Sequence, residues 1–335
     1  METEPQVQLT AAELSQIWAA YQNDTMLTCV MQYFLETAGD PDITPIVEHL
    51  LNLSKSHTEK IAAFFQEEGY PLPVGFSDKD VDLNAPRLFS DSFILYYIHQ
   101  AGKLGINAMS VAVSLATRSD IYAHFAECLS EYVSLHKRTT DMLLSKGLYI
   151  RSPHMPSPES VDFVTQKNFL SGLGEERPLL ALEITNLIDN IQRNALGAST
   201  VMGFAQVAQS KKIAQYMTKG KEIAEKHVEV FGSVLRKDNL KVPMSWAMEV
   251  TDSTVPPFSD KLMMFHTTAL IAIGMRYYGT SLATCLRTDI SADYARLTAE
   301  IGKYSMRGAK LMIENSWLEE PPQAADRYEL IKHKK

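Results

Sequence analysis

The chain has 335 residues, 45% hydrophobic and 21% charged, a balance that supplies a packed core and excludes a disordered or fibrous chain. With 40 acidic residues against 32 basic ones the net charge is −8, a surface that repels phosphate backbones, so nucleic acid is not an expected partner. Three widely spaced cysteines, Cys29, Cys128 and Cys285, make neither a disulfide framework nor a zinc ribbon and point to a reducing, cytoplasmic interior.

The first ten residues carry Glu2 and Glu4 instead of a basic start followed by an apolar run, so no signal peptide is expected. Proline clusters separate long Pro-free runs whose apolar residues recur every three or four positions, the helical period. A first helix is predicted over about 10–38, opened by the capping box Thr10-x-x-Glu13, with the stripe Leu14, Ile17, Tyr21, Thr28, Met31, Leu35. A second follows over about 42–68, with the stripe Ile46, Leu50, Leu53, Ile61, Phe64 and Gly69 as its stop. A third runs from Ser90-Asp91 to about 117 and is apolar on nearly every side. A fourth runs from about Asp120 to Gly147, with the stripe Ile121, Phe125, Cys128, Tyr132, Leu135, Met142. The two most apolar stretches, around 93–116 and 262–286, are broken by His99, Lys103, Asn107, His266 and Arg276, so they read as core helices and no membrane span is expected.

The second half repeats this plan. An offset of 170 places Phe34 on Phe204, Ile43 on Ile213, His57 on His227 and Pro73 on Pro243. After one deletion the offset is 169, placing Ser90-Asp91 on Ser259-Asp260, Gly105 on Gly274, Arg118 and Asp120 on Arg287 and Asp289, and Glu131 on Glu300. One register with a single slip signals duplication of a four-helix unit. The division is residues 1–150 as the first bundle, 151–177 as a linker with a short helix, and 178–335 as the second bundle.

The link between the second and third helices, residues 70–88, holds Pro71, Pro73 and Pro86. Extended at about 3.3 Å per residue it covers roughly 60 Å. The second helix, at about 1.5 Å per residue, is only about 40 Å long. The link can therefore cross the bundle and start the third helix where the second one started, which is the ferritin-like arrangement. The same Pro-bearing link recurs at 240–258. The expected fold class is all-α: two tandem ferritin-like four-helix bundles, each with a long crossover.

Val161-Asp-Phe-Val164, Phe169-Leu-Ser-Gly172, Arg177-Pro-Leu179 leading into Leu182-Glu-Ile184, and the terminal Pro321-Pro-Gln-Ala-Ala-Asp326-Arg carry a resemblance. The chain resembles, over essentially its whole length, the tandem ferritin-like family of unknown function from spore-forming bacilli, related in style to ferritin-like spore-coat proteins. The resemblance implies the fold, suggests a link to sporulation and a spore-associated location, and assigns no activity.

Di-iron ferritin-like proteins need a Glu from each of two helices and Glu-x-x-His from the other two. Here Ser54 and Ala224 stand three residues before His57 and His227, so that ligand set is missing. A smaller constellation remains: Asp24, His57 and Glu131 at one depth of the first bundle, and Asn194, His227 and Glu300 in the second. It reads either as a mononuclear metal site, for a divalent ion such as iron, zinc or manganese, or as a hydrogen-bonded polar layer. Asp24 makes the first bundle the better cation site. His124 and Glu127 read as a solvated pair, Gly105 and Gly274 as points of close helix approach or a kink, the cysteines as core thiols, and Trp246, Tyr277, Tyr278 and Trp317 as packing groups. The functional expectation is a non-enzymatic structural or interaction protein, meeting protein partners or further copies of itself. The rival is a metal-binding protein or oxidoreductase centred on His57.

Overall fold

The computed structural model describes residues 7–171, 177–243 and 249–332. Gly172, Trp246 and the last three residues of the basic tail lie outside them. The described elements are α1 (Ala11–Thr37), α2 (Thr44–Glu67), α3 (Asp91–Leu115), α4 (Ser119–Ser145), α5 (Ala181–Val207), α6 (Lys211–Lys237), α7 (Asp260–Thr284), α8 (Thr288–Glu314) and the short α9 (Arg327–Lys332). Among the described residues there is no strand, and no helix is long and apolar enough to cross a membrane.

Local chemistry sets the ends. The Thr10–Glu13 capping box opens α1, and Ser90 and Ser259 cap α3 and α7 through their hydroxyls. Gly69 and Gly147 end α2 and α4 with φ of 61° and 68°. The same left-handed turn is made in the second half by Asn239 and Ser316, at 55° and 56°, although only glycine adopts it without a Cβ penalty.

Carboxylates tie the helix ends together. Glu13, at the start of α1, accepts from the backbone of Thr117 (2.7 Å) and Arg118 (2.8 Å) between α3 and α4. Glu183 does the same at the start of α5, accepting from Leu286 (3.2 Å) and Arg287 (3.1 Å). At the opposite end Asp91 accepts from Gly39 just past α1 (3.0 Å), and Asp260 accepts from Gln209 and Ser210 just past α5 (3.0 and 2.8 Å). Arg118 pairs with Glu68 past α2, while Lys146 past α4 pairs with Asp40 (2.7 Å). These contacts make α1 antiparallel to both α2 and α3, so α2 and α3 run parallel and residues 68–90 cross the unit. Arg118 and Arg287 also pair with Asp120 and Asp289 at 3.0 and 3.1 Å.

The two crossovers meet each other. Val81 bridges Phe258 and Phe89 bridges Val250, both antiparallel. Asp82 donates to Pro257 (2.8 Å) and Thr251 to Leu88 (2.9 Å); Ser90 donates to Glu249 (2.9 Å) and Ser259 to Asp80 (3.0 Å). At the 169 offset each contact maps onto its mate, the signature of a pseudo-twofold axis. Tyr97 and His266 are equivalent positions facing across it, hydrogen-bonded at 2.9 Å. One apolar cluster runs through this junction and the whole second repeat, whereas a second cluster around Ile17, Tyr21, Ile61, Phe65 and Phe125 stands apart in the first.

Candidate functional site: a His-Cys-Glu cluster in the first repeat

What divides the core of the first repeat is polar. α2 carries His57 on its buried stripe between Leu53 and Ile61, and α1 brings Asp24 inward. α4 presents His124, Cys128, Glu131 and Tyr132 over two turns of one face, as the i, i+4 and i, i+3 spacings require. His57 Nε2 lies 2.7 Å from Glu131 Oε2, and its Nδ1 faces Asp24 Oδ2 at 3.9 Å. The sequence-predicted trio is thus brought together. Cys128 joins it: ligating atoms of His57, Cys128 and Glu131 all lie within 4.8 Å of one another. The Cys128 thiol is 3.7 Å from His124 Nδ1, and the His124 ring stands edge-on to His57 at 6.0 Å. His57, Asp24, Cys128 and His124 are buried, while the Glu131 side chain is 32% exposed, which leaves one wet edge.

The electrostatics follow from this packing. Burial works against an imidazolium at position 57, but the nearby Asp24 and Cys128 outweigh it and lift His57 to about 11. Burial raises the Asp24 carboxyl, opposed by the neighbouring His57 and Tyr132. Burial likewise raises the Cys128 thiol against the pull of His57, and it holds His124 down at about 4. These neighbours favour the protonated form of the His57 ring. Imidazole nitrogen, sulfur and carboxylate oxygen are together the donor types of a zinc-class site.

The second repeat does not copy it. His227 Nε2 lies 3.2 Å from Glu300, but Asn194 does not reach His227. Tyr278 stands between them: Asn194 donates to its hydroxyl at 2.7 Å, and the hydroxyl is hydrogen-bonded to His227 Nδ1 at 2.8 Å. Both ring nitrogens of His227 are thus engaged, Nδ1 by Tyr278 and Nε2 by Glu300. Burial lowers His227 despite Glu300, whose charge is shared with Lys226 at 2.8 Å. Leu297 and Ile301 stand where Cys128 and Tyr132 stand in the first repeat, so no sulfur donor is present.

Two further readings change. His124 is buried and pairs with the Cys128 thiol, and Glu127 turns to Lys60 at 3.1 Å, so they are not a solvated pair. A Cβ on Gly105 would sit 2.3 Å from the Tyr132 ring, the expected close approach, but Gly274 has nothing nearer than Ile301 at 4.0 Å. The i, i+3 pair Cys128-x-x-Glu131 facing His57 was the available sequence signal for the thiol. A dinuclear ferritin-type centre does not fit these donors, since Ser54 rather than a carboxylate stands one turn before His57.

A family model described as a protein of unknown function, DUF3231, matches the chain twice, over residues 2–161 and 167–330. A solved structure described as a "putative spore coat protein" from Bacillus halodurans is similar with 18% identity and a TM-score of 0.41, covering 45% of this chain and 98% of that one. No curated protein matches the chain.

Proposed function

Because the chain belongs to the DUF3231 family, which has no assigned function, we propose from its own geometry that it is a non-enzymatic, ferritin-like helical scaffold whose first repeat holds one divalent cation. The observation that carries the proposal is the convergence of His57 Nε2, Cys128 Sγ and a Glu131 oxygen within 4.8 Å in one repeat only. Thiolate with imidazole favours zinc over manganese, magnesium or calcium. Asp24 beside Nδ1 would orient the ring, and water at the open edge by Glu131 would fill the fourth position.

The test uses tag-free full-length protein, stripped and then reconstituted with zinc, iron or manganese, with bound metal measured by mass spectrometry. The expected result is about one zinc per chain, lost in His57→Ala and Cys128→Ser and kept in His227→Ala. Failure to retain any metal, or equal loss with His227→Ala, overturns it. The second reading, a purely structural polar layer, draws on the 2.7 Å bond that already satisfies His57.

A further inference from the structure

The outer face of the second repeat carries a groove of about 360 Å³ between α6 and α8. Its floor is the stacked pair Tyr216 and Tyr304, with ring centroids 4.3 Å apart and planes 9° apart. Each ring leans on a glycine of the facing helix: a Cβ on Gly220 would lie 2.3 Å from the Tyr304 hydroxyl, and one on Gly308 equally close to that of Tyr216. The Tyr304 hydroxyl donates to the Tyr216 carbonyl at 2.9 Å, which fixes the floor. Around it stand Lys212, Lys219, Arg307 and Lys310, and no carboxylate lines the groove. Lys219 pairs outward with Glu222 at 2.8 Å, and Lys212 approaches Glu314 only to 3.8 Å. Arg307 and Lys310 make no ion pair among the described residues.

The first repeat offers an internal comparison. At the positions of Lys212 and Lys310 it carries Asp42 and Asp141, and at those of the two tyrosines Ile46 and Leu135. The charge has been inverted at two corners and the floor rebuilt, while α8 keeps the length of α4 and α6 starts nearly a turn earlier than α2. In a chain of net charge −8, four cations gathered on one groove repel one another unless an anion is shared between them.

We infer that this groove binds a small ligand bearing two or more linked phosphates. A guanidinium fork and three ammonium point charges match phosphate oxygens at close quarters, and the tyrosine floor keeps the ligand shallow. The volume suits a small ligand and not a nucleic-acid duplex. The groove lies in the second repeat, so it stands or falls independently of the His57 cluster.

The test titrates metal-stripped full-length protein with tripolyphosphate by calorimetry at low ionic strength, with ATP and hexaglutamate as separate arms. Saturable binding of tripolyphosphate is expected, weakened at least about tenfold by the exposed double substitution Arg307→Glu/Lys310→Glu, and weakened by added salt. Arg138→Glu, the matching change in the first repeat, is expected to leave it unchanged. Equal affinity for ATP identifies the phosphates alone as the determinant; tighter ATP binding adds a contact to the nucleoside. No saturation, indifference to the double substitution with circular dichroism unaltered, or equal binding of hexaglutamate overturns the inference.

Discussion

Glu13→Gln is the substitution that most directly probes how the first repeat is closed. The Glu13 carboxylate is 1% exposed and accepts five hydrogen bonds: from Thr117 N, Thr117 Oγ1 and Arg118 N on one oxygen, and from Thr10 N and Oγ1 on the other. Burial alone would raise its pKa, but the backbone donors of Arg118, Thr10 and Thr117 overcome this and hold it at about 2, against an ordinary 4.5. A folded-state value below the unfolded one contributes stability that is present above about pH 4.5 and is lost as pH falls toward 2. The shift corresponds to about 3 kcal/mol at neutral pH, or about 2 after allowance for solvent screening at a helix end. Glutamine keeps the shape but turns an N–H₂ toward donors, so it forfeits the whole contribution. Urea unfolding of the variant, followed by circular dichroism, is expected to show a loss of about 2–3 kcal/mol at pH 7 that shrinks to ~1 kcal/mol at pH 3, where the carboxyl of the unfolded chain is largely protonated and the folded one has begun to follow. A loss under ~1 kcal/mol at pH 7, or one that stays constant down to pH 3, would refute the reasoning.

Gly105→Ala is expected to cost about 1–2 kcal/mol, because overpacking against the Tyr132 ring exceeds the helix-propensity gain; Gly274→Ala, with open space above it, is expected to gain up to about 1 kcal/mol. Thermal unfolding of the two variants side by side checks this, and shifts of the same sign would contradict it. Tyr97→Phe leaves His266 Nε2 buried without its partner and is expected to cost about 1–3 kcal/mol, most of it recovered in Tyr97→Phe/His266→Phe. Urea midpoints for the full double-mutant cycle measure the coupling, and strict additivity would show that the bond contributes nothing.

Much of the fold was legible because helical period and duplication are properties of sequence alone. The offset of 170 slipping to 169 required no contact information, and Gly69 and Gly147 marked helix ends by backbone conformation. The site was half legible. Asp24, His57 and Glu131 share a depth that rise per residue supplies, and they meet. Cys128 was read as a core thiol because position on an apolar stripe does not tell a packed sulfur from one aimed at an imidazole. Tyr278 was hidden for a related reason: its equivalent in the first repeat is Met109, so the repeat comparison offered no hint that a hydroxyl would separate Asn194 from His227. His266 is the equivalent of Tyr97, and that pairing has meaning only once the two halves are seen to face each other.

The pseudo-twofold junction explains where the repeats were free to diverge. Each crossover is an extended segment with unpaired backbone groups, and such an edge is costly to bury and hazardous to expose. Here each crossover satisfies the other: Val81 with Phe258, Phe89 with Val250, and the Ser90 and Ser259 helix caps with Glu249 and Asp80 of the opposite repeat. An isologous contact uses every position twice, so a change at one residue disturbs two places, and the junction resists drift. The bundle interiors and outer faces lie away from the axis and carry no such double constraint. There one repeat holds an imidazole beside a thiol and two carboxyl groups while the other closes the same position with a tyrosine bridge, and one outer face gathers cations where the other holds aspartates. A duplicated chain held together in this way can keep one copy for assembly contacts while the other acquires chemistry, and the two candidate sites fall in different repeats for that reason.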